Sequence, residues 1–324
     1  MLHLRPDQPE ADPEASRRVP AGMPAESFTA QSLHRAQSRG VFVLGMHRSG
    51  TSATARALNL LGLPLSRPSD LLPTRVGNLR GYWESQSLIA CNERLLNACG
   101  SSWWCPPART ELLASLAGMQ ADAETLASAR AAFHAAYLSP QWAWKDPRLC
   151  LLLPFWEKVL GIPAVAFLAL RSPHEIASSL QRRDGLAFNA GLSLWERYIR
   201  QVLLNLRGSP VFVYQYSDLI GDPGGWCEQA RSFTRRHGFA DVPGGTEDVM
   251  NFIDGQLRHE RDDAAESRFL NAEQLSLYQY CGELEGIHDE FNPEINEVDS
   301  SATTTELDRQ RRRWRYVRAA AKAG

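Results

Sequence analysis

The sequence predicts an α/β protein, a three-layer α/β/α domain around a central parallel sheet, and three observations predict it. Val41 to Leu44 is a short apolar run that opens into a glycine-flanked polar loop and then into helical periodicity. Ala164 to Leu170 is a near-continuous apolar run of the kind buried on both faces of a parallel sheet. Strand-like and helical segments alternate from 40 to 220, which calls for βαβ crossovers with helices on both sheet faces.

Residues 1–38 are rich in Pro, Ala, Ser, Arg and Glu without periodicity and read as a disordered leader. The α/β domain is expected over 39–300, and a basic tail over 301–324. A chain of 324 residues with 44% hydrophobic content can bury a sizeable core, and its net charge of −2 gives no argument for nucleic acid. Cys91, Cys99, Cys105, Cys150, Cys227 and Cys281 form no C-x-x-C pair, so neither a zinc site nor a disulfide framework is indicated and a reducing cytoplasm fits them. No apolar run reaches the length of a membrane span, and the first 40 residues lack the apolar core of a signal peptide.

Strand, loop and helix from Val41 to Leu63 have the architecture of a phosphate cradle, because the first helical N–H groups have no partner within the helix and carry the positive end of its dipole. Gly45 and Gly50 are spaced as in the P-loop pattern G-x-x-x-x-G-K-[S/T], and Ser52 matches its final hydroxyl. Thr51 replaces the lysine that reaches a triphosphate, while Arg48 puts a cation inside the loop. Two glycines alone also suit a tight turn. Arg48, Ser49, Thr51 and Ser52 crowded onto one helix start favour anion binding, which makes the predicted fold P-loop-like.

Pro64 to Gly81 is a polar loop too long for mere connection. It ends in Gly81-Tyr82-Trp83-Glu84, with Ser85 as N-cap of a helix whose apolar face is Leu88, Ile89, Leu95, Leu96 and Cys99. Glu84 beside that helix start is either a solvated charge or a functional carboxylate held ionised by the dipole. Trp103 and Trp104 open an irregular stretch, and Thr110 is expected to cap helical pieces running to Tyr137, with His134 a packed or surface histidine.

Gln141 to Lys145 reads as a strand that Pro147 ends, leaving Lys145, Asp146 and Arg148 at its carboxyl end, where ligands bind in open α/β sheets. The strand Ala164 to Leu170 ends at Arg171, and Ser172-Pro173-His174-Glu175 supplies N-cap, first-turn proline and capping-box acid. Ser179, two turns on, either bonds the preceding turn or shares a ligand with Arg171. Leu194 to Leu206 gives another apolar helix face, and Val211 to Tyr216 another strand ending in Tyr216-Ser217-Asp218-Leu219. Arg258, His259 and Arg261 lie in a loop-like context. Arg309 to Lys322 carries seven basic residues around Trp314 and Tyr316, which suits a solvated terminal helix, an acidic partner or a membrane surface.

Three strand ends thus offer two anion sites on one sheet edge: Arg48 with its loop and Lys145, then Arg171 with Ser179. With these motifs the chain resembles the sulfotransferases that use 3′-phosphoadenosine 5′-phosphosulfate (PAPS), over roughly 41–260. His47-Arg48-Ser49-Gly50-Thr51-Ser52 is similar to the family's 5′-phosphosulfate loop, in the variant with arginine where cytosolic members carry lysine. Arg171 and Ser179 keep the arginine-to-serine spacing of its 3′-phosphate motif, and Tyr216-Ser217-Asp218-Leu219 resembles its Tyr-Glu-Asp-Leu segment. Lys145-Asp146-Pro147 resembles a tyrosylprotein sulfotransferase segment whose lysine contacts the sulfonate, and by order Glu84 matches those enzymes' base. The cytosolic family's catalytic histidine and its Arg-Lys-Gly motif have no counterpart here, with Arg258 matching the latter by position alone.

The resemblance implies sulfonate transfer from PAPS, as co-substrate and without a metal, to an acceptor hydroxyl or amine, here expected on a carbohydrate or glycolipid. Catalysis falls to Arg48, Lys145 and Glu84, with His47 the next base; His47 to Ser52, Arg171, Ser179 and Tyr216 hold the nucleotide. Trp83, Trp103, Trp104, Trp142 and Trp144 offer a stacking floor or, equally, core. The rival readings are a P-loop small-molecule kinase and a nucleotide-binding module without turnover.

Overall fold

The computed structural model describes residues 39–74, 81–240, 244–253 and 269–323, all within one compact unit, Arg39–Gly324. The leader expected over 1–38, and Arg258, His259 and Arg261, lie outside the described residues.

Four parallel strands form the centre in the order β2–β1–β3–β4: β1 (Arg39–Leu44), β2 (Gln141–Lys145), β3 (Ala166–Leu170) and β4 (Ser209–Gln215). Alternating side chains send β1 into two cores. Phe42 and Leu44 join the core built with α2 (Gln86–Ala98), α3 (Arg109–Ala121), α4 (Ala123–Ala136), α5 (Leu149–Leu160) and α7 (Phe188–Asn205). Val41 and Val43 join the opposite core, with α1 (Thr51–Leu60), α8 (Tyr216–Gly221), α9 (Pro223–Arg236) and α10 (Thr246–Phe252). Burial on both faces is what the unbroken apolar runs demand.

The structure departs from the expected elements where contacts distant in sequence intervene. A fifth strand, β5 (Gly286–Phe291), follows α11 (Ala272–Glu283) and pairs antiparallel with β4, so the sheet is mixed. β5 reads Gly-Ile-His-Asp-Glu-Phe, a half-polar edge strand without the apolar run that marks a buried one. β3 begins at Ala166 because the Ala164 N–H is taken by Glu157 Oε1 at 2.9 Å, while the Val165 carbonyl already accepts from Phe42 at 2.9 Å. Tyr216 starts α8 instead of ending β4, since the Asp218 carboxylate accepts the Gln215 N–H at 2.9 Å. The first helix stops at Leu60, before Gly62 turns left-handed at φ 105°.

Between 109 and 136 the helical pieces start at Arg109, not at Thr110, and break at Asp122, whose side chain caps α4 through the Thr125 N–H at 3.0 Å. Ser85 and Ser172 cap α2 and α6 (Pro173–Asp184) as expected, accepting from Leu88 N–H at 3.1 Å and Glu175 N–H at 3.4 Å. The stretch 301–324 does not stand apart from the domain: α12 (Ser301–Ala323) packs on α7, burying Thr303, Leu307 and Arg311.

Candidate active site

The order β2–β1–β3 makes the carboxyl ends of β1 and β3 a topological switch point, the crevice where open α/β sheets receive ligands. The loop from Gly45 to Gly50 fills it. Its path requires left-handed backbone at Gly45 (φ 144°), Arg48 (φ 73°) and Gly50 (φ 94°). A Cβ on Gly50 would lie 2.1 Å from the Tyr216 ring, so only glycine lets that ring close over the loop. The Gly45 N–H donates to Cys150 Sγ at 3.3 Å, which ties the loop to α5. At the far end Gly50 precedes α1, whose N-terminus has no side-chain cap and no acidic residue in its first turn. Ser49 Oγ and His47 Nε2 are buried with no hydrogen-bond partner among the described residues. A bare helix N-terminus, two orphaned polar atoms and a loop cation fit an anionic group.

The site has two cationic centres. On the β3 side, Arg48 Nε donates to Ser179 Oγ at 2.8 Å, and an Arg171 terminal nitrogen donates to the Arg48 carbonyl at 2.9 Å. Arg171 also pairs with Glu175 and lies over the Tyr216 ring, 5.0 Å from its centroid. Arg48 has no carboxylate partner among the described residues. Burial, then the nearby Arg183 and Arg171 guanidiniums, lower its pKa to about 10. Arg48 thus meets Ser179 and Arg171 instead of Lys145, so the two expected anion sites are divided between strands differently: Arg48 stands with the β3 pair and Lys145 with Glu84.

On the β2 side, Lys145 Nζ pairs with Glu84 Oε1 and also donates to Ser52 Oγ at 3.2 Å and to the Tyr82 carbonyl at 3.3 Å. Both side chains are buried, at 4% and 8% exposure, so Glu84 is not the solvated charge its sequence context also allowed. Ser52, in the first turn of α1, therefore touches the cation of β2. Trp83, between Tyr82 and Glu84, is left-handed at φ 56°, with Arg56 4.7 Å over its ring. Arg48 and Trp83 are the non-glycine residues with positive φ among the described residues, and each adjoins one cationic centre. Such strain persists only where surrounding packing over-determines it, and it gathers at functional segments.

Asn92, Glu93, Trp156 and Asp70 support the site and escaped the sequence reading. Behind Lys145, Asp146 accepts from Asn92 Nδ2 at 2.9 Å and from the Arg148 backbone and guanidinium at 2.9 and 3.0 Å. Arg148 Nε reaches Glu93 at 2.5 Å, and Trp156 Nε1 donates to Asn92 Oδ1 at 2.7 Å. Asp70 accepts from the Ser87 N–H at 3.1 Å and bonds the Ser85 hydroxyl, holding the start of α2 beside Glu84. Asn92 and Glu93 lie two turns beyond Glu84 on α2, a spacing that was the available signal.

His47 is buried against Trp103, with ring centroids 4.5 Å apart, and burial followed by the charges of Arg148, Arg183, Lys145 and Arg48 pushes its pKa well below the usual histidine value. It is a neutral imidazole at pH 7. Trp142 and Trp144 are core, at 1% and 0% exposure, which removes them from any stacking floor; Trp83, Trp103 and Trp104 remain half-buried. Among the described residues no three His, Cys, Asp or Glu side chains converge as metal ligands. All six cysteines are free and buried, and among the described residues no helix is long and apolar enough to cross a membrane.

No protein-family model and no curated protein matches the chain. Among solved structures it is similar to two sulfotransferase domains. One is from the olefin synthase of Synechococcus PCC 7002, at 16% identity and a TM-score of 0.40, covering 84% of this chain and 94% of that one. The other is from the curacin biosynthetic pathway, at 14% identity and a TM-score of 0.36, covering 83% of this chain and 96% of that one. The chain is a mixed α/β protein whose glycine-flanked loop, strand ends and buried ion pair converge on one crevice.

Proposed function

We propose that the protein is a PAPS-dependent sulfotransferase. The observation that carries this reading is the pair of cationic centres, Lys145 on β2 and Arg48 with Arg171 on β1 and β3, flanking an uncapped helix N-terminus. That layout suits a nucleotide with anionic groups at both ends of its ribose. The loop amides and Lys145 face the phosphosulfate; Arg48, Arg171, Ser179 and Tyr216 face the 3′-phosphate; His47, Ser49, Thr51 and Ser52 complete the cradle.

In the transfer, the acceptor oxygen forms a new bond to sulfur while the bond from sulfur to the bridging phosphate oxygen breaks, and its electron pair stays on adenosine 3′,5′-bisphosphate. Lys145 and the α1 N–H groups are placed to meet that developing charge, the kind of preorganised donor set worth two to three orders of magnitude each. Glu84 takes the acceptor proton, since an ionised carboxylate within hydrogen-bond reach suffices. Its contact with Lys145 fixes it beside the loop. Neutral His47 is the alternative base. The acceptor is a hydroxyl, or an amine, on a carbohydrate or glycolipid, with half-buried Trp103 beside the loop as a face for it.

Thermal melting with adenosine 3′,5′-bisphosphate against ATP, followed by a sulfonate-transfer assay in chelator, tests the reading. Stabilisation by the bisphosphate and metal-independent transfer are expected. Stabilisation by ATP alone, or a strict Mg²⁺ requirement, would replace it with a kinase. Bisphosphate binding without transfer to any acceptor would leave a binding module. Glu84→Gln should lower turnover by about two to four orders of magnitude with little change in nucleotide affinity; full turnover would reassign the base.

A further inference from the structure

The last helix carries more cations than its packing uses. Of the seven basic residues between Arg309 and Lys322, four have partners on the chain. Arg309 pairs with Glu306; Arg311 pairs with Glu111 and donates to the Cys99 and Gly100 carbonyls at 3.2 and 3.1 Å. Arg315 donates to the Gly100 carbonyl at 3.2 Å, and Arg318 bonds Asn97 Oδ1 at 2.5 Å. Arg311, Arg315 and Arg318 clasp the carboxyl end of α2, where free carbonyls and the negative pole of the helix welcome them. They are structural.

Arg312 and Arg313 are different. They are exposed and make no ion pair or hydrogen bond among the described residues. One turn on from them stand Tyr316 and Val317, 77% and 58% exposed. The buried stripe Thr303, Leu307, Arg311 faces the domain, so these four side chains share the outward face. From 309 to 324 the sequence has no acidic residue to offset them.

We propose that this outward face docks on an anionic lipid surface. Arginines flanking an aromatic and an aliphatic side chain suit the boundary of headgroups and acyl chains, where charge meets lipid phosphates and the ring and Val317 enter the apolar layer. A polyanion in water would engage the arginines but give Val317 nothing to bury. The helix that α12 clasps is the same α2 that Glu84 immediately precedes, and its 13 residues span about 20 Å. Docking would therefore set the membrane against α12, which clasps the end of α2 opposite Glu84. The docking itself does not depend on the donor chemistry.

Flotation of the full chain with phosphatidylcholine vesicles, with and without phosphatidylserine, tests the proposal. Selective recovery with phosphatidylserine vesicles, weakened by salt, is expected. Arg312→Glu with Arg313→Glu should weaken it about tenfold or more, and Tyr316→Ser with Val317→Ser several-fold. Both variants should melt with the wild type. If the charge reversal melts lower, Arg312→Gln with Arg313→Gln carries the lipid comparison. Equal recovery on both vesicle types, no recovery, unchanged recovery of the variants, or displacement of the vesicles by single-stranded RNA would overturn the proposal.

Discussion

The two cationic centres of the crevice differ in what already neutralises them. Lys145 is buried against Glu84 and spends its remaining donors on Ser52 and the Tyr82 carbonyl. Arg48, half-buried, has only the Ser179 hydroxyl among the described residues, and like charges crowd it. The difference separates two tasks. A compensated pair can hand its cation to a charge that grows during reaction, while an uncompensated guanidinium attracts a resident anion. On the proposed function, the first centre serves turnover and the second binding.

The largest test of this contrast is Lys145→Ala. It strands the Glu84 carboxylate in a buried setting, which costs about 3–5 kcal/mol, and it removes a donor worth about 10² to 10³ in kcat. Melting and single-turnover transfer should both fall. Combining Lys145→Met with Glu84→Gln should recover much of the melting loss while leaving transfer absent, because no buried charge is then unpaired. Equal stability of Lys145→Ala and wild type would show that the pair is not the buried couple its geometry describes.

Arg48→Ala should produce the opposite pattern. It breaks no ion pair, so melting should move little. Loss of a charge-assisted contact of about 1.5–3 kcal/mol should weaken adenosine 3′,5′-bisphosphate binding by about ten- to a hundredfold. Calorimetric titration measures it. A variant that binds normally but turns over poorly would merge the two centres into one.

The smallest effect concerns pH. His47 titrates near 6.5 when unfolded and well below that in the fold, so beneath pH 6.5 the unfolded chain holds more protons and stability falls as pH falls. The slope contributed by this one group is at most about 1.4 kcal/mol per pH unit. His237, held low mainly by burial, adds a second contribution of the same sign. Denaturant unfolding from pH 5 to 7.5 should show the loss, and His47→Gln should remove the His47 share. An unchanged slope in that variant would mean His47 is charged in the fold and joins the cationic centres.

Much of this crevice was legible from sequence. Gly45 and Gly50 announced the loop, and Ser85 and Ser172 announced their helices, since a cap and a left-handed glycine act on neighbouring backbone. Tyr216 was legible as a strand end but not as the ring that forbids a side chain at Gly50. The clasp of Arg311 on Glu111 was illegible because 200 residues separate its members, and the basic stretch read as a tail. β5 was missed because one half-polar strand on a sheet edge leaves little periodic signal. Trp142 and Trp144 could not be told from a binding surface, since aromatic residues serve both and only the packing of α4 and α5 over β2 buries them.

The sequence by itself determined the order of β1 to β4 along the chain, the caps Ser85 and Ser172, and which strand ends carry cations. These follow from backbone preferences and hydrophobic period, which act over a few residues. Only the tertiary structure decided which cation meets which partner. Lys145 finds Glu84 across 61 residues and Arg48 finds Ser179 across 131, because buried polar groups must be satisfied by whatever the packing of distant elements brings within reach.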